Sequence, residues 1–240
     1  MIVHVLPGDA TAAQFREADI DGELIVCREA LIAGDVSGET LDEFWDRRAN
    51  FILLEYGEDP LDYRETVAYE LERLIGLPAE TEVNLWFEYE LFCHANMWFC
   101  IDLLKGFEGA VNRVQPLNAS PDDIWKGFGR HNGDDLRSCF EARIRFTQED
   151  LEMGSRLWRA FRTRNARELL QLGEYRSPCY PFLREVCEAA AELDTRPAAI
   201  VRELKSGGLT GIESVFPEFQ KRAGVYGFGD LQVERLLQTV

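Results

Sequence analysis

Short apolar runs rich in β-branched residues alternate with amphipathic stretches in the first half of the chain. The runs IVHVL, ELIVCRE, EVNLWFE and VNRVQPL predict strands over residues 2–6, 23–29, 82–88 and 111–117. Apolar strands separated by helical stretches are typical of a parallel sheet, because each parallel connection needs a crossover. The alternation therefore predicts an α/β fold: a Rossmann-like parallel sheet with helices on both faces.

From about residue 120 the pattern becomes mainly helical. The segment TQED, residues 147–150, has the spacing of a capping box, and further helical patterns follow it. The last stretch, residues 197–240, predicts three short helices, with a winged-helix-like unit among the arrangements that fit. We therefore predict an α/β ligand-binding domain over residues 1–120 and a helical C-terminal region over residues 121–240.

The net charge of −17 is unevenly distributed along the 240 residues. All of it arises within residues 1–139, whereas residues 140–240 are neutral overall. An acidic surface repels nucleic-acid backbones and acidic membranes, and a DNA-binding face is normally basic. We therefore expect a small-molecule ligand as the partner, with neither nucleic acid nor a membrane. The oligomeric state stays open.

The remaining composition favours a cytoplasmic protein. The N-terminal residues lack the positive start and long apolar run of a secretory signal, and no stretch has the length and apolarity of a membrane span. The six cysteines are scattered without a CxxC pair, which argues against a disulfide scaffold or a structural zinc site. We expect reduced, mostly buried thiols.

Polar residues follow three of the predicted strands and open the helix after the third. In an open parallel sheet, ligands bind outside the carboxyl ends of the strands, so these residues are expected to meet at one rim. The candidates are, as catalytic groups, Asp9, Glu88 and His94; as substrate-binding groups, Gly8, Arg28, Glu29 and Glu90; and as metal ligands, Asp9 and Glu88.

The chemistry of each residue type suggests its role. Carboxylates at one rim suit a hard divalent cation such as Mg²⁺, and an arginine pairs a phosphate or carboxylate group on a ligand. Apolar neighbours are expected to raise the pKa of Glu88, while the helix N-terminus is expected to stabilise the Glu90 carboxylate and to keep His94 neutral. A neutral histidine is suited to accepting a proton or binding a metal.

Each candidate also has a purely structural interpretation. The alternatives are helix capping for Asp9, ion pairs with the C-terminal half for Arg28 and Glu29, a solvated strand edge for Glu88 and Glu90, and an ordinary packed helix position for His94. The sequence alone does not distinguish these structural interpretations from a ligand site.

A second group of basic residues lies in the C-terminal half and consists of Arg156, Arg159, Arg162, Arg164 and Arg167. Its functional interpretation is a phosphate-binding or docking surface. The alternative, which we favour from the sequence, is a solvated face or a set of salt bridges to the acidic N-terminal half.

The motifs HVLPGDA, GELIVCREALIAG and NLWFEYELFCHANMWF resemble those of a bacterial family known as domain of unknown function 1835. The segments FTQEDLEMGSRLWRAFR and GFGDLQVERLLQ are similar to its C-terminal companion region, so the likeness covers nearly the whole chain. Departures occur at Pro7, Cys27, Glu90 and His94, where the family usually has asparagine, tryptophan, aspartate and glutamine. The resemblance marks the rim candidates as signature positions and implies no particular reaction.

The predicted function is binding of a phosphorylated or nucleotide-like small molecule at the rim, with Mg²⁺-dependent hydrolysis or group transfer as the expected chemistry. The sequence leaves open whether a reaction takes place. It contains no GxGxxG after the first strand, no P-loop and no GxSxG motif. The alternative is a non-catalytic ligand-sensing or protein-interaction module whose C-terminal helices bind a partner.

Overall fold

The computed structural model describes residues 1–117 and 123–240. The strands are β1 (Ile2–Leu6), β2 (Glu23–Val26), β3 (Glu82–Trp86), β4 (Ala110–Val114) and β5 (Ile144–Arg145). The helices are α1 (Asp9–Glu17), α2 (Leu41–Tyr56), α3 (Pro60–Tyr63), α4 (Tyr69–Glu72), α5 (Leu91–Leu103), α6 (Gly133–Glu141), α7 (Gln148–Arg162), α8 (Ala166–Leu172), α9 (Leu183–Ala191), α10 (Arg196–Ser206), α11 (Ile212–Ala223) and α12 (Asp230–Thr239). A π-helical segment, Arg64–Ala68, joins α3 to α4, and 3₁₀ turns occupy Ile124–Lys126 and Gly224–Tyr226.

The five strands form one sheet in the order β2-β1-β3-β4-β5. The first four strands are parallel, and β5 pairs antiparallel with β4 at the edge. The chain leaves β1 toward β2 on one side and returns to β3 on the other, so the direction of winding reverses between β1 and β3. In such sheets this reversal opens a crevice at the carboxyl ends of the strands.

Both faces of the sheet are covered, as the sequence predicts. One face, which carries Leu6, Trp86 and Val114, packs against α1 and α6 through residues such as Phe15 and Leu136. The opposite face packs against α2, the π-helical segment, α4 and α5 in the larger apolar cluster. Alternation of side chains along each strand explains the division, since successive residues point to opposite faces.

The C-terminal region is helical, as predicted, and packs onto the second face. Helix α7 lies against α5, and the apolar cluster of the sheet continues without a break into α9, α10 and α11. Residues 146–240, all of them described, contain no strand, so the final three helices lack the β-hairpin of a winged helix. The predicted division at residue 120 falls outside the described residues and stays a prediction.

Strand β1 has its predicted bounds, whereas β2, β3 and β4 are shorter than predicted, and this matters for the site. The second ends at Val26 and the third at Trp86, so Arg28, Glu29 and Glu88 lie in the loops that follow them. All six cysteines are buried and free. None of the helices in the described ranges combines the length and the apolar character that a membrane span requires.

Close packing between α5 and α7 depends on Gly154. A Cβ atom there would lie 2.7 Å from the Tyr180 hydroxyl oxygen and 2.8 Å from two side-chain atoms of Ile101. The tyrosine cannot easily retreat, because its hydroxyl donates a hydrogen bond of 2.8 Å to the carbonyl of Asp150. The two helices therefore approach more closely than an alanine would allow.

We expect Gly154→Ala to destabilise the protein. Alanine favours helix by about 1 kcal/mol, but overpacking of a core costs about 1–3 kcal/mol, so the net change should be unfavourable. Urea unfolding measures it, with Ser155→Ala as the control because Ser155 is partly exposed on the same helix. A gain of stability in Gly154→Ala would show that the helices separate without cost.

Candidate functional site

The turn between β1 and α1 places Gly8 and Asp9 at the carboxyl edge of the sheet. Gly8 caps α1 in an extended conformation, and within the described structure no side chain accepts hydrogen bonds from the first turn of this helix. A side chain at position 8 would meet open space. The backbone N–H groups that begin α1 are therefore free to bind an anion.

Asp9 pairs with Arg28, which follows β2. The guanidinium donates to both carboxylate oxygens, with N–O distances of 2.8 to 3.1 Å, and also donates to the carbonyl of Thr66 at 3.2 Å. The Asp9 side chain is two-thirds exposed and that of Arg28 about one-third. The hydrogen bonds that the Asp9 carboxylate accepts raise the pKa of Arg28. The pair joins the ends of two adjacent strands and reaches the π-helical segment.

A cavity of about 1010 Å³ opens at this edge, beside the Asp9–Arg28 pair. The turn after β1, the loop after β2, the end of α2 and the π-helical segment form its wall, and Phe92 and Gln232 complete it. A single π-helical turn is frequently found at functional sites. The acidic residues that line the cavity and lie at its surface are Asp9, Glu58, Glu65 and Glu70. Arg28 is the one basic residue among the described residues of the lining.

Glu29 does not present its carboxylate to a ligand. It is fully buried in a two-bond ion pair with Arg48 of α2, with N–O distances of 2.7 and 3.1 Å. The Tyr63 hydroxyl also donates to it, and burial followed by the charge of Glu29 raises the pKa of this tyrosine. The partner is thus in the N-terminal half, whereas the structural alternative from sequence placed it in the C-terminal half.

The backbone around Glu29 is fixed as firmly as its side chain. The Asn96 side chain, on α5, donates to the carbonyl of Glu29 at 2.7 Å and accepts from the N–H of Leu31 at 3.2 Å. The loop after β2 is therefore tied to α2 and to α5 together. This arrangement holds Arg28 in place at the cavity.

A second group of polar side chains lies at the start of α5. The potential ligand atoms of Glu88, Glu90 and Cys93 lie within 4.8 Å of one another. The Glu88 carboxylate accepts from the N–H of Phe128 at 2.6 Å, while Glu90 caps α5 by accepting from the N–H of Cys93. The predicted metal pair is not formed as a unit, because Asp9 is bound to Arg28 and Glu88 belongs to this separate group.

Two glycines make room for these carboxylates. Gly127 has a left-handed backbone with φ of +58°, and a Cβ atom there would overlap the carboxyl group of Glu88. Gly227, with φ of +70°, lies so close to Glu90 that a Cβ atom would come within 2.7 Å of its side chain. Segments distant in sequence thus enclose both carboxyl groups.

Burial decides the protonation of this group. Burial first, and then repulsion by Glu88, raises the pKa of Glu90 to about 8, so its carboxyl group is mostly protonated at neutral pH. This corrects the expectation of a carboxylate stabilised by the helix N-terminus, because desolvation outweighs that effect. Burial likewise raises the pKa of Glu88, as its apolar neighbours suggested, and raises that of the Cys93 thiol.

His94 is buried behind the rim. Its Nδ1 lies 3.1 Å from the carbonyl oxygen of Glu90, and its Nε2 has no hydrogen-bond partner within residues 1–117 and 123–240. Burial, and then the charge of Arg113, lowers its pKa to about 3. The histidine is neutral as expected, but the cause is desolvation more than its place in the helix.

Arg113 is the buried cation of the group, and the sequence did not indicate it as a site residue. Its guanidinium, on β4, donates to the carbonyl of Glu88 at 3.0 Å and to the sulfur of Met97 at 2.8 Å. No carboxylate lies within 4.0 Å of it in the described part of the chain. Its charge lowers the pKa values of Glu88 and Glu90 against the larger effect of burial. An arginine inside the apolar run VNRV was the sequence signal for such a position.

The predicted candidates therefore fall into three environments. Gly8, Asp9 and Arg28 meet at the cavity. Glu88, Glu90 and His94 form the buried group at the start of α5, and Glu29 is an internal ion-pair partner. The sequence missed the acidic wall formed by Glu58, Glu65 and Glu70, since single glutamates at such positions carry no distinctive sequence pattern. No protein-family model, curated protein or solved structure matches the chain.

We expect loss of Arg48 to be much more damaging than loss of its neighbour Arg47. Arg48→Met would leave the Glu29 carboxylate buried without its cation, at a cost of about 3–5 kcal/mol in unfolding free energy. Arg47, half exposed and paired with the half-exposed Asp35, should contribute at most about 1 kcal/mol. Urea unfolding of Arg48→Met and of the matching Arg47→Met variant tests this difference.

The double variant Glu29→Gln with Arg48→Met is the decisive comparison. It removes both buried charges, so it should recover part of the loss seen in Arg48→Met. A double variant that is as unstable as the sum of its single variants would contradict the ion-pair assignment.

We expect the stability of the protein to depend on pH through Glu90. The unfolded carboxyl group ionises near pH 4.5, whereas the folded one stays protonated to about pH 8. The stability that this raised pKa contributes is therefore complete below pH 4.5 and is lost as the pH rises toward 8. Glu90→Gln stays neutral and should become progressively more stable than wild type across this window, by up to about 1.4 kcal/mol per pH unit.

Unfolding free energies at pH 5, 6, 7 and 8 measure this difference. Parallel pH curves for wild type and Glu90→Gln would show that the Glu90 carboxyl is ionised in the folded protein. Glu213→Gln is a control, because Glu213 is exposed near the start of another helix.

Proposed function

We propose that the protein binds a phosphorylated or nucleotide-like small molecule in the cavity at the carboxyl ends of β1 and β2. The observation that carries this proposal is the free N-terminus of α1 beside Arg28 in one cavity. Helix N-termini and arginines are both common phosphate-binding groups in proteins. The volume of about 1010 Å³ is at the upper end of the range for small-molecule sites.

The acidic wall restricts how a phosphate is bound. Alone, an anion would be repelled by Glu58 and Glu65, because Glu70 is paired with Arg73 at 3.0 Å and Arg28 is already neutralised by Asp9. Carboxylate oxygens are the ligands that Mg²⁺ prefers, so the lining fits this cation. Bound Mg²⁺ supplies positive charge that compensates the phosphate. We infer that Asp9 and one of the glutamates hold it.

The Asp9–Arg28 pair then acts as an exchangeable contact. On ligand binding, Asp9 exchanges Arg28 for the cation, and Arg28 exchanges Asp9 for the phosphate group. No charge is left unpaired by this exchange, which is why an exposed pair suits the role better than the buried Glu29–Arg48 pair. Phe92 and Tyr56, both partly exposed in the lining, offer aromatic surface for a sugar or a base.

The binding proposal is separate from the question of a reaction. Hydrolysis or group transfer would need an acid or base near the ligand, and the predicted catalytic residues Glu88 and His94 lie in the buried group instead of the described cavity lining. A reaction would therefore draw on Asp9 or the glutamates of the wall. We propose binding as the function and treat turnover as a second measurement.

A ligand-sensing role is the second candidate, and one contact favours it. Helix α12 contributes Gln232 to the cavity, and its Arg235 binds Glu55 at 2.9 Å and stacks over Tyr56 at 4.4 Å. Binding of a ligand in the cavity would therefore affect the position of α12. In this role the C-terminal helices would present a changed surface to a partner.

The wider expectations remain proposals. Membership of the domain of unknown function 1835 family rests on the three N-terminal motifs, and a bacterial origin rests on that likeness. A cytoplasmic location is proposed from the six free cysteines. The acidic surface of residues 1–139 supports the expectation that nucleic acid is not a partner.

The test is thermal unfolding with ADP, ribose 5-phosphate and pyrophosphate, each with and without Mg²⁺. We expect a rise in Tm for at least one ligand that requires Mg²⁺; at a hundred times Kd a ligand adds about 2.7 kcal/mol, or several degrees. Arg28→Gln should weaken binding at least about tenfold, which corresponds to about 1.4 kcal/mol. Asp9→Asn should remove the dependence on Mg²⁺ while phosphate binding persists.

Asp194→Asn is the control for loss of an exposed carboxylate outside the cavity. A ligand shift that survives Arg28→Gln unchanged, or no shift with any ligand, would contradict the binding proposal. For turnover, phosphate release is followed by ³¹P NMR in wild type and Glu88→Gln. Release that Glu88→Gln abolishes without weakening binding would restore the catalytic prediction for Glu88.

A further inference from the structure

A second cavity lies at the opposite edge of the sheet from the first. It has a volume of about 740 Å³ and is formed by the end of α5, the turn that leads into β4, the start of the β5–α7 connection and one side of α7. The residues of α7 that line it follow helical spacing, from Gln148 through Glu152 and Ser155 to Arg159. This side of the helix is distinct from the one that packs on α5.

Basic side chains surround this cavity, in contrast to the acidic wall of the first. The cations in its lining are Lys105, Arg145, Arg156 and Arg159, against the two carboxylates Glu108 and Glu152. Glu152 accepts a hydrogen bond from Gln148 at 3.2 Å. Within residues 1–117 and 123–240 none of the four cations forms a salt bridge or a side-chain hydrogen bond, although most other arginines of this acidic chain do.

The floor between these cations is apolar. Ile101, Val111 and Phe146 are buried beneath it, and Phe107 and Leu151 remain partly exposed at its sides. Charges that ring a nonpolar floor match a ligand with an anionic head and an apolar body. A free inorganic anion would use the cations but leave the floor in contact with water.

The arginine group noted in the sequence therefore divides by position. Arg162 donates to the carbonyl of Gly38, and Arg164 lies over the ring of Phe161 at 5.2 Å, so both have structural partners. Arg156 and Arg159 form part of the cavity lining instead. Of the favoured alternative, the salt bridges to the acidic half are not formed by these two arginines in the described structure, whereas their exposure agrees with a solvated face.

We propose that this cavity is a binding site for a small organic anion with an apolar body, such as an alkyl or aryl phosphate or carboxylate. Arg156 and Arg159 bind the anionic head together with Arg145 and Lys105, and the floor between α5 and α7 holds the apolar body. The site is independent of the cavity at Asp9 and Arg28, since it lies at the other end of the strands and shares no residue with it.

The experiment is isothermal titration of the full chain with decyl phosphate and decanoate below their micelle concentrations, beside decyltrimethylammonium and inorganic phosphate. We expect the two anionic amphiphiles to bind with one site per chain, and the comparison between them identifies the preferred head group. The double variant Arg156→Gln with Arg159→Gln should weaken their binding at least about tenfold. Both residues are exposed, so folding should be retained, and Tm measurement verifies it.

The matched control is Arg167→Gln with Arg202→Gln, which removes the same charge from exposed positions outside the cavity. Unchanged binding in this control supports the site. Equal weakening in both double variants, or equal binding of decyltrimethylammonium, would overturn the proposal in favour of nonspecific attraction. Tighter binding of hexaglutamate than of decyl phosphate, lost in Arg156→Gln with Arg159→Gln, would also overturn it and point to an acidic protein segment.

Discussion

The buried ion pair between Glu29 and Arg48 is the interaction on which the carboxyl edge of the sheet depends. It joins the loop after β2 to α2, draws in Tyr63 just before the π-helical segment, and is complemented by Asn96 from α5. These are the elements that form the wall of the first cavity. A buried charge is tolerated only when its partners satisfy it fully, so the geometry of this edge is strongly constrained. These contacts also fix the position of Arg28, which directly precedes Glu29 in the chain.

Arg28 and Glu29, which are adjacent in the loop after β2, have different roles. Glu29 is enclosed and structural, while Arg28 stays partly exposed and pairs with an exposed aspartate. An exposed pair is held weakly and can be exchanged for ligand contacts, whereas a buried pair cannot be opened without a large penalty. The motif CREAL therefore combines an anchor with a contact that is available to a ligand.

Charge is separated along the strand axis as well as along the chain. The carboxyl edge carries the acidic cavity, in whose described lining Arg28 is the one arginine, and the opposite edge carries the basic cavity beside α7. The buried group of Glu88, Glu90 and Arg113 lies apart from the described lining of both, with one carboxyl protonated at neutral pH and one cation beside it. Glu88, Glu90 and His94 are the most conspicuous polar residues of the sequence, yet the structure encloses them almost completely. Desolvation therefore sets their protonation.

The sequence by itself determined the α/β class, the parallel strands, the helical C-terminal half and the meeting of Gly8, Asp9 and Arg28 at one edge. These follow from local periodicity and from the rule that parallel strands end on the same side. Only the tertiary structure decided that Glu29 is internal, that Glu90 is protonated and that Arg156 and Arg159 border a cavity. Burial and partners come from segments far apart in the chain, such as Arg48, Gly127, Gly227 and the end of α5. Local patterns carry no information about which distant segments will exclude water from a given side chain, and that exclusion fixes its charge and its role.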